Sequence, residues 1–520
     1  MVMAARAGNT WRARVSSIPI LLLFAAALAC LWRGPQATAV ADGIAYITGG
    51  VHLARDGEYR NPFGEPETWF PPSYPLLIGF LSLGGRLDPF IVARWISMGF
   101  AVLSLWLVLH VGRRVDGRAG LLAMLVLAAN PTFQEASSST LSQSMATALS
   151  LAAFAVWLGL GNEKAPLSYV ALGFLVGASH LTRPESILLL PAWALLDLCL
   201  RPRKIVLRGY VLAAATCLLT MSPYVLWLSA QTGRWSLTNK GEVNLAGGRA
   251  DYYGTPREYI DPQTLEMGYY PNEVTASQEL HRYGHNLTEI FKQYWLMCRA
   301  PLGLAVLLAA AAGIPVLLGQ ARYRLLLGLG THFLYLPILA WYTVSAQYLH
   351  ATLPAFCLLA AFGANSILHS LGNVSGHRVS QVTAMAFVVW LGLGLAEMGS
   401  RLPRWALTMD ADPATILRDV GLQLKATGPP EGVVYEWGAT AGYYAGQRRG
   451  RLTPNDLETV LKYIDKHESG RGPVWLALAS FHSPAYHSSV RSLLDAPNGR
   501  FPRAAEVADE RGRTVIYRLR

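Results

Sequence analysis

The sequence predicts an all-α polytopic membrane helical bundle of about eleven transmembrane helices, with interfacial helices and a small C-terminal α/β extracytoplasmic domain. Three observations favour this fold class. Hydrophobic residues make up 52% of the 520 residues and charged residues 15%, whereas soluble domains carry about 25% charged residues. Apolar runs such as Ile18–Trp32 and Tyr210–Leu228 hold no charge across nearly the length that a bilayer requires. Such runs stop near residue 400, which predicts a separate soluble domain.

Candidate spans recur along the chain as far as residue 397. They are 18–33, 91–111, 119–133, 143–160, 167–181, 184–200, 208–228, 302–319, 325–343, 351–370 and 380–397. Basic clusters separate them on alternate sides, as at Arg113-Arg114, Arg201–Lys204 and Arg322–Arg324. The positive-inside rule makes these clusters cytoplasmic. We therefore expect a multi-pass cell (plasma or inner) membrane protein with a cytoplasmic N-terminus and an extracytoplasmic C-terminus.

The net charge of +11 follows largely from these clusters, so it indicates membrane orientation and no nucleic-acid partner. The five cysteines lie in or beside apolar spans, without CxxC or Cys/His spacing. Their pattern therefore predicts neither a zinc site nor a disulfide framework.

Long polar stretches divide the chain into two domains. Residues 1–399 form the predicted transmembrane domain, with outer loops at about 34–90 and 229–300, and residues 400–520 form the soluble domain. In the soluble domain, Ile416, Val420 and Leu424 recur at helical spacing. The remaining predicted elements are strands at Val433–Trp437, Val474–Leu478 and Thr514–Tyr517 and a helix at Asn455–Lys466. Long loops often carry function, so we expect the functional site among these outer segments.

Asp42 is the first candidate site residue, because it opens the first outer loop. Ile44, Ile47, Val51 and Ala54 follow it at helical spacing, which predicts an interfacial helix with its apolar face toward lipid. At the start of this helix, Asp42 is either an N-cap or a carboxylate that the helix N-terminus favours for chemistry.

Arg183 is the second candidate, in the short connection Leu181-Thr182-Arg183-Pro184-Glu185. A guanidinium can grip two phosphate oxygens while it stays charged. The alternatives are a surface ion pair with Glu185 or snorkelling to lipid headgroups. The aromatic and proline-rich stretch Trp69–Pro75 is likewise either part of a site or an interfacial belt.

With these segments placed, the chain resembles the GT-C membrane glycosyltransferases that use polyprenyl-phosphate sugars. The likeness is strongest to the glycosyltransferase 39 group, which includes protein O-mannosyltransferases and lipid A aminoarabinose transferases. The matching motifs occur in this order: Asp42–Tyr46, Pro71–Pro75, Arg94, Leu181–Glu185, Ser222–Tyr224 and Tyr348–Pro354. Two positions depart from the family pattern: Gln143 replaces a frequent acidic residue, and the segment Gln347–His350 replaces one that often holds arginine.

The resemblance implies a glycosyltransferase that moves a hexosyl or pentosyl group from a polyprenyl-phosphate sugar to a protein, lipid or glycan acceptor. It implies that Asp42 is the catalytic base and Arg183 a ligand of the donor phosphate. His350 is a candidate second phosphate contact, or an ordinary interfacial histidine. The candidate residues of the substrate cavity are Tyr46, Tyr74, Glu185, Gln143, Gln347 and Tyr348. No cofactor is firmly implied, no metal ligand is assigned, and a divalent metal stays open.

Two other functions are consistent with a polytopic chain. A lipid or small-molecule transporter or flippase would tend to bury ionisable groups in the middle of its spans. A noncatalytic scaffold or receptor would use the soluble domain and give Asp42 and Arg183 no shared purpose. In the enzyme, by contrast, those two side chains should converge, and the soluble domain would select the acceptor without being needed for donor binding.

The positions of the basic clusters generate a topology prediction. Cysteines introduced near residue 260 and near residue 450 should react with an impermeant thiol reagent from the same, outer side of the membrane, because the basic loops face the other side. Labelling from opposite sides would contradict this topology.

Overall fold

The structure is a computed structural model. It describes residues 41–160, 166–200, 203–253, 258–269, 274–298, 303–342, 346–374, 413–428, 431–436, 440–452, 457–469, 472–479, 501–509 and 512–519. The predicted spans 18–33 and 380–397 lie outside these residues.

The described helices begin in the first outer loop and continue to the C-terminal domain. They are α1 (Ala41–Asp56), α2 (Ser73–Leu81), α3 (Pro89–Arg113), α4 (Gly117–Ala128), α5 (Pro131–Ser138), α6 (Gln143–Gly159), α7 (Pro166–His180), α8 (Leu189–Leu200), α9 (Arg203–Thr232), α10 (Lys240–Tyr253), α11 (Ala276–Cys298), α12 (Gly303–Gly319), α13 (Tyr323–Thr331), α14 (Leu336–Leu339), α15 (Ala346–Leu349), α16 (Leu353–Val374), α17 (Pro413–Thr427), α18 (Thr440–Ala445) and α19 (Leu457–Glu468). The strands are β1 (Glu258–Ile260), β2 (Met267–Tyr269), β3 (Val433–Glu436), β4 (Arg448–Arg451), β5 (Val474–Ala479), β6 (Arg503–Asp509) and β7 (Gly512–Arg518).

Among the described residues, three helical segments are long and apolar enough to cross a bilayer: Pro89–Arg113, Val206–Thr232 and His350–Ile367. A fourth candidate is the pair Thr132–Ser138 and Gln143–Gly159, which bends by 110° at its break. The mostly helical architecture agrees with the predicted fold class. The count of eleven spans stays a prediction, since several apolar helices, such as α4, are shorter than a straight span needs.

One end of the helical bundle is held by a buried ion pair. Asp197 on α8 is fully buried, and its carboxylate lies 3.0 Å from Nε of Arg324 on α13. The Tyr210 hydroxyl donates to the same carboxylate, and the guanidinium of Arg324 lies 4.5 Å from the centre of the Trp157 ring. A buried charge is costly unless it is paired, so this cluster fixes α6, α8, α9 and α13 together.

The first-loop helices α1 and α2 cross at glycines. A Cβ on Gly50 would lie 2.1 Å from the Pro75 carbonyl oxygen, and one on Gly79 would lie 2.0 Å from the Gly50 carbonyl oxygen. The backbones therefore approach as closely as glycine allows. The expectation that the apolar face of α1 points to lipid is wrong. Ile44 and Ile47 are buried against α2, α3 and α6, because those helices offer an apolar surface at the end of the bundle.

The C-terminal domain is a five-stranded sheet in the order β4-β3-β5-β7-β6. β3 pairs in parallel with β4 and β5, and β7 pairs antiparallel with β5 and β6. Helices α17 and α18 pack on one face and α19 on the other. The predicted strands near 433, 474 and 514 and the predicted helices are confirmed. β4 was missed because its residues, Arg-Arg-Gly-Arg, show no apolar alternation.

The three polar segments that the sequence predicts to be outer contact one another. Ile260 on β1 is buried in the core of the C-terminal domain, and Lys466 on α19 pairs with Glu266 at 2.7 Å. Arg449 on β4 donates to the Thr48 hydroxyl of α1 at 3.3 Å. The first loop, the 229–300 segment and the C-terminal domain therefore gather at one end of the bundle.

The α1–α2 crossing generates a stability prediction. Gly50→Ala should destabilise the protein by about 1–3 kcal/mol, the usual range for overpacking, because its Cβ meets backbone atoms that cannot rotate away. Gly99→Ala on α3 is the matched control, since its Cβ meets no atom within 4 Å. Thermal unfolding in detergent should show a lower Tm for Gly50→Ala only. Equal Tm values for the two variants would contradict the close crossing.

Candidate active site

Asp42 lies in the first turn of α1 and is partly buried. A Cβ on the next residue, Gly43, would lie 2.0 Å from Thr140 Oγ1. The start of α1 therefore packs closely against Thr140, which lies in the break between α5 and α6. Within the described part of the chain, the Asp42 carboxylate makes no hydrogen bond or ion pair.

Arg183 is placed by the sequence around it. Helix α7 ends at His180, and Arg183 is extended (φ −146°, ψ 117°) because a residue before proline avoids the helical region. The turn is fixed to its neighbours: the Ser73 amide donates to the Leu181 carbonyl at 2.9 Å. His180 lies 3.4 Å from the Leu237 carbonyl oxygen through Nε2. The connection is thus held between the proline-rich stretch and the 229–300 segment.

The Arg183 side chain is buried between an acid and an aromatic ring. Its Nε lies 3.1 Å from Glu185 Oε1, and its guanidinium carbon lies 5.0 Å from the centre of the Tyr348 ring. The ion pair with Glu185 therefore exists, but Arg183 is only 7% exposed and the pair is no surface contact. Burial opposes the charge, yet Glu185 and the neighbouring tyrosines outweigh it and raise the pKa of Arg183. The guanidinium stays charged.

Tyr46 connects Asp42 to Arg183. It lies one helical turn after Asp42 on α1, is 3% exposed, and its hydroxyl lies 3.2 Å from the Ser142 hydroxyl. Burial raises the pKa of Tyr46, and the negative charge of Asp42 raises it further, while Arg183 and the hydrogen bond with Ser142 lower it. The acid and the guanidinium therefore act on the same phenol.

Lys240 is a second buried cation in the region of Arg183. It begins α10, is 8% exposed, and its Nζ lies 5.4 Å from the centre of the Phe70 ring. Burial, with a smaller contribution from the charge of Arg183, lowers its pKa to about 8. Three carboxylates act in the opposite direction, namely Glu185, Asp42 and Glu67. Within the described residues no hydrogen bond or ion pair neutralises the ammonium.

Glu67 is a second buried acid in the first outer loop. Its carboxylate accepts hydrogen bonds from the amides of Trp69 and Phe70 at 2.8 and 3.1 Å. Burial raises its pKa to about 7 despite these hydrogen bonds. Glu67 therefore shapes the turn that carries Phe70 and can exchange a proton near neutral pH.

Comparisons with known proteins point to a single fold. Residues 71–227 match the family model described as dolichyl-phosphate-mannose-protein mannosyltransferase. ArnT from Cupriavidus metallidurans, in a crystal structure bound to undecaprenyl phosphate, aligns with a TM-score of 0.59 and 14% identity, over 97% of this chain and 98% of that one. The oligosaccharyltransferase AglB from Archaeoglobus fulgidus, in complex with an inhibitory peptide and a dolichol-phosphate, aligns with a TM-score of 0.56 and 13% identity, over 89% of this chain and 70% of that one. No curated protein matches by sequence.

The chain shares the fold of ArnT and AglB. The resemblance drawn from the sequence motifs is thereby confirmed, and a membrane location agrees with it. The segment matched by the family model contains Arg183 and Glu185, while Asp42, Lys240 and Tyr348 lie outside it.

Several of the sequence-predicted residues contact one another in this fold, as Arg183 does with Glu185 and Tyr46 with Tyr74. Tyr348 lies beneath Arg183, and its hydroxyl donates to Asn244 of α10 at 3.4 Å. Gln143 is buried at the start of α6, directly after the break. Gln347 lies in α15, and its side chain falls outside the described residues.

Tyr74 and His350 are held by protein contacts. The Tyr74 hydroxyl donates to the Ala93 carbonyl at 3.0 Å and lies 2.9 Å from the Ser97 hydroxyl, so it ties α2 to α3. His350 Nδ1 lies 2.8 Å from the Thr147 hydroxyl, and its ring stacks on Phe133. Its Nε2 is buried and has no partner among the described residues.

Sequence reasoning missed Lys240 and Glu67. Lys240 follows a polar loop without any motif, so nothing local distinguishes it from an exposed lysine. Glu67 stands two residues before the aromatic stretch at Trp69, which was the available signal. Their burial arises from packing between segments far apart in the chain.

Lys240 generates a stability prediction. Its folded pKa lies below its ordinary value of 10.5, so the unfolded chain binds more protons between about pH 8 and 10.5 and the charged lysine destabilises the fold below that window. Lys240→Met should therefore raise stability at pH 7 by on the order of 2–3 kcal/mol. The advantage should shrink as the pH rises above about 8.

Thermal unfolding of the two proteins at pH 7 to 10 measures this effect. Lys292→Met is the matched control, because Lys292 is 61% exposed and pairs with Glu289. A Lys240→Met protein less stable than wild type at pH 7 would show that Lys240 is neutralised in the folded protein.

Proposed function

We propose that this protein is an integral-membrane glycosyltransferase that moves a sugar from a polyprenyl-phosphate donor to an acceptor at the exoplasmic face. The observation that carries the proposal is that α1, the turn at Arg183 and α10 meet. Phe70 lies against both Tyr46 of α1 and Lys240, and Tyr348 lies against both Arg183 and Asn244 of α10. An acid beside two buried cations suits a reaction in which one hydroxyl loses a proton and one phosphate gains charge.

In the proposed reaction, the acceptor hydroxyl attacks the anomeric carbon of the donor sugar. Asp42 takes the hydroxyl proton, a new glycosidic bond forms, and the bond from the anomeric carbon to the phosphate oxygen breaks. The bonding electrons leave with the polyprenyl phosphate. The phosphodiester of the donor carries one negative charge and the leaving phosphate carries a second, so charge develops during the step.

Arg183 and Lys240 are proposed to stabilise that developing charge. Arg183 remains charged at all relevant pH values, and Lys240 is mostly protonated at pH 7 because its pKa is about 8. Both are nearly buried, where an ionic contact is stronger than in water. His350 Nε2 is a further proposed donor to the phosphate. The proposal leaves a role for a divalent metal open.

The transporter alternative receives less support. The buried Asp197–Arg324 pair is satisfied within the protein. Arg324 contacts Trp157, which lies near the end of α6 and about 20 Å along the helix from Gln143, at 1.5 Å per residue. The buried cations Arg183 and Lys240 lie at one end, beside the first loop. A transporter would instead be expected to place them along a path through the spans.

The decisive experiment is turnover by Asp42→Asn. Asn cannot accept the hydroxyl proton, and a general base typically contributes about 10²–10⁴ in rate, so transfer from undecaprenyl-phosphate carrying a radiolabelled sugar should fall by that factor. Tm and binding of undecaprenyl phosphate should stay near wild type, because Asn has the same shape and Asp42 has no pairing contact to lose.

Asp56→Asn is the matched control at the other end of α1, where the carboxylate is 43% exposed and contacts only His52 among the described residues. Its turnover should match wild type. A rate for Asp42→Asn within about threefold of wild type, far short of the contribution of a base, would eliminate Asp42 from that role.

A further inference from the structure

Strand β4 forms one edge of the C-terminal sheet and lies beside the first outer loop. Side chains alternate along a strand, so Arg449 and Arg451 share a face and Arg448 lies on the other. Arg448 pairs with Glu468 of α19 inside the domain at 2.9 Å. The two arginines on the opposite face reach out of the domain, and both contact the first loop.

Arg451 is enclosed by three residues of the first loop. Its guanidinium carbon lies 4.6 Å from the centre of the Phe63 ring and 5.0 Å from that of Trp69. Its Nη2 lies 3.5 Å from Glu65 Oε2. The side chain is only 12% exposed, although it stands on an edge strand. A planar cation between two rings fixes both rings relative to the sheet.

The loop held by Arg451 continues into the candidate active site. The amides of Trp69 and Phe70 donate to Glu67, so the two residues belong to one turn. The Phe70 ring then packs against Tyr46 with centroids 4.8 Å apart and lies 5.4 Å from Lys240 Nζ. A continuous set of contacts thus leads from β4 to the second cation of the site.

Arg449 supports the same arrangement from α1. Its Nη1 donates to Thr48, which lies on the helix that begins next to Asp42. Its guanidinium also lies 6.0 Å from the centre of the Tyr443 ring, and Tyr443 packs against the cluster that contains Ile44 and Ile47. The C-terminal domain therefore contacts the first loop at two points, through Arg449 and through Arg451.

We infer that Arg451 is a positioning residue for donor binding, which the C-terminal domain supplies to the transmembrane domain by fixing the turn that carries Phe70 beside Lys240. This inference rests on the proposed function, because the ligand that Lys240 would meet is the donor phosphate. It replaces the expectation that the soluble domain is dispensable for donor binding. The domain instead completes the site through the first loop.

The test measures binding of undecaprenyl phosphate to the full-length protein in detergent. Arg451→Ala should raise the Kd about five- to twentyfold, within the range of coupling that a packed network transmits. Arg451→Lys keeps a cation over the rings and should recover most of the affinity. Arg448→Ala is the matched control on the same strand and should bind as wild type does. An unchanged Kd for Arg451→Ala would overturn the inference.

Trp69→Leu provides a second route if Arg451→Ala is poorly folded. It removes one ring from the same contact and should weaken binding to a similar extent, and the double variant should be no weaker than the worse single variant. Additive losses would overturn the shared pathway. Failure of the wild-type protein to bind undecaprenyl phosphate would instead overturn the proposed function, and the inference with it.

Discussion

The cost of burying charge in a protein with few charged residues governs this structure. Charged groups make up 15% of the chain, and a buried one must be paired or must serve a ligand. At one end of α6 the cost of burying charge is offset within the protein, because Asp197 and Arg324 neutralise each other. The Tyr210 hydroxyl donates a hydrogen bond to the Asp197 carboxylate. At the other end Arg183 pairs with Glu185, and Lys240 has no ion pair among the described residues. This difference in charge pairing distinguishes the structural cluster around Asp197 from the candidate site around Lys240.

The first outer loop is the element on which the site depends. It supplies Asp42, Tyr46 and the turn that holds Phe70 beside Lys240. Its position is fixed by close contacts of Gly43 with the Thr140 side chain and of Gly50 with the Pro75 backbone, where any side chain would meet another segment. The C-terminal domain adds the contacts of Arg449 and Arg451 from outside. A loop held from both sides can keep an acid and a cation in register without a ligand present.

The 229–300 segment forms a third side of the candidate site. Helix α10 begins with Lys240 and, one turn later, places Asn244 against Tyr348. Because α10, the turn at Arg183 and α1 come from separate parts of the sequence, none of them alone has an anion-binding character. The electrostatic properties of the site exist only after the three segments have packed together, and the lowered pKa of Lys240 is their clearest expression.

The sequence by itself determined the fold class, the family resemblance and the elements of the C-terminal domain that carry an apolar pattern. These follow from local properties: span length, alternation and the order of short motifs. It also selected Asp42 and Arg183, because each stands at a recognisable helix boundary. Only the tertiary structure decided that α1 packs on protein rather than lipid, that Arg183 is buried, and that Lys240 and Glu67 belong to the same place. Burial and electrostatic coupling depend on neighbours far away in the chain, and a single sequence carries no record of those distances.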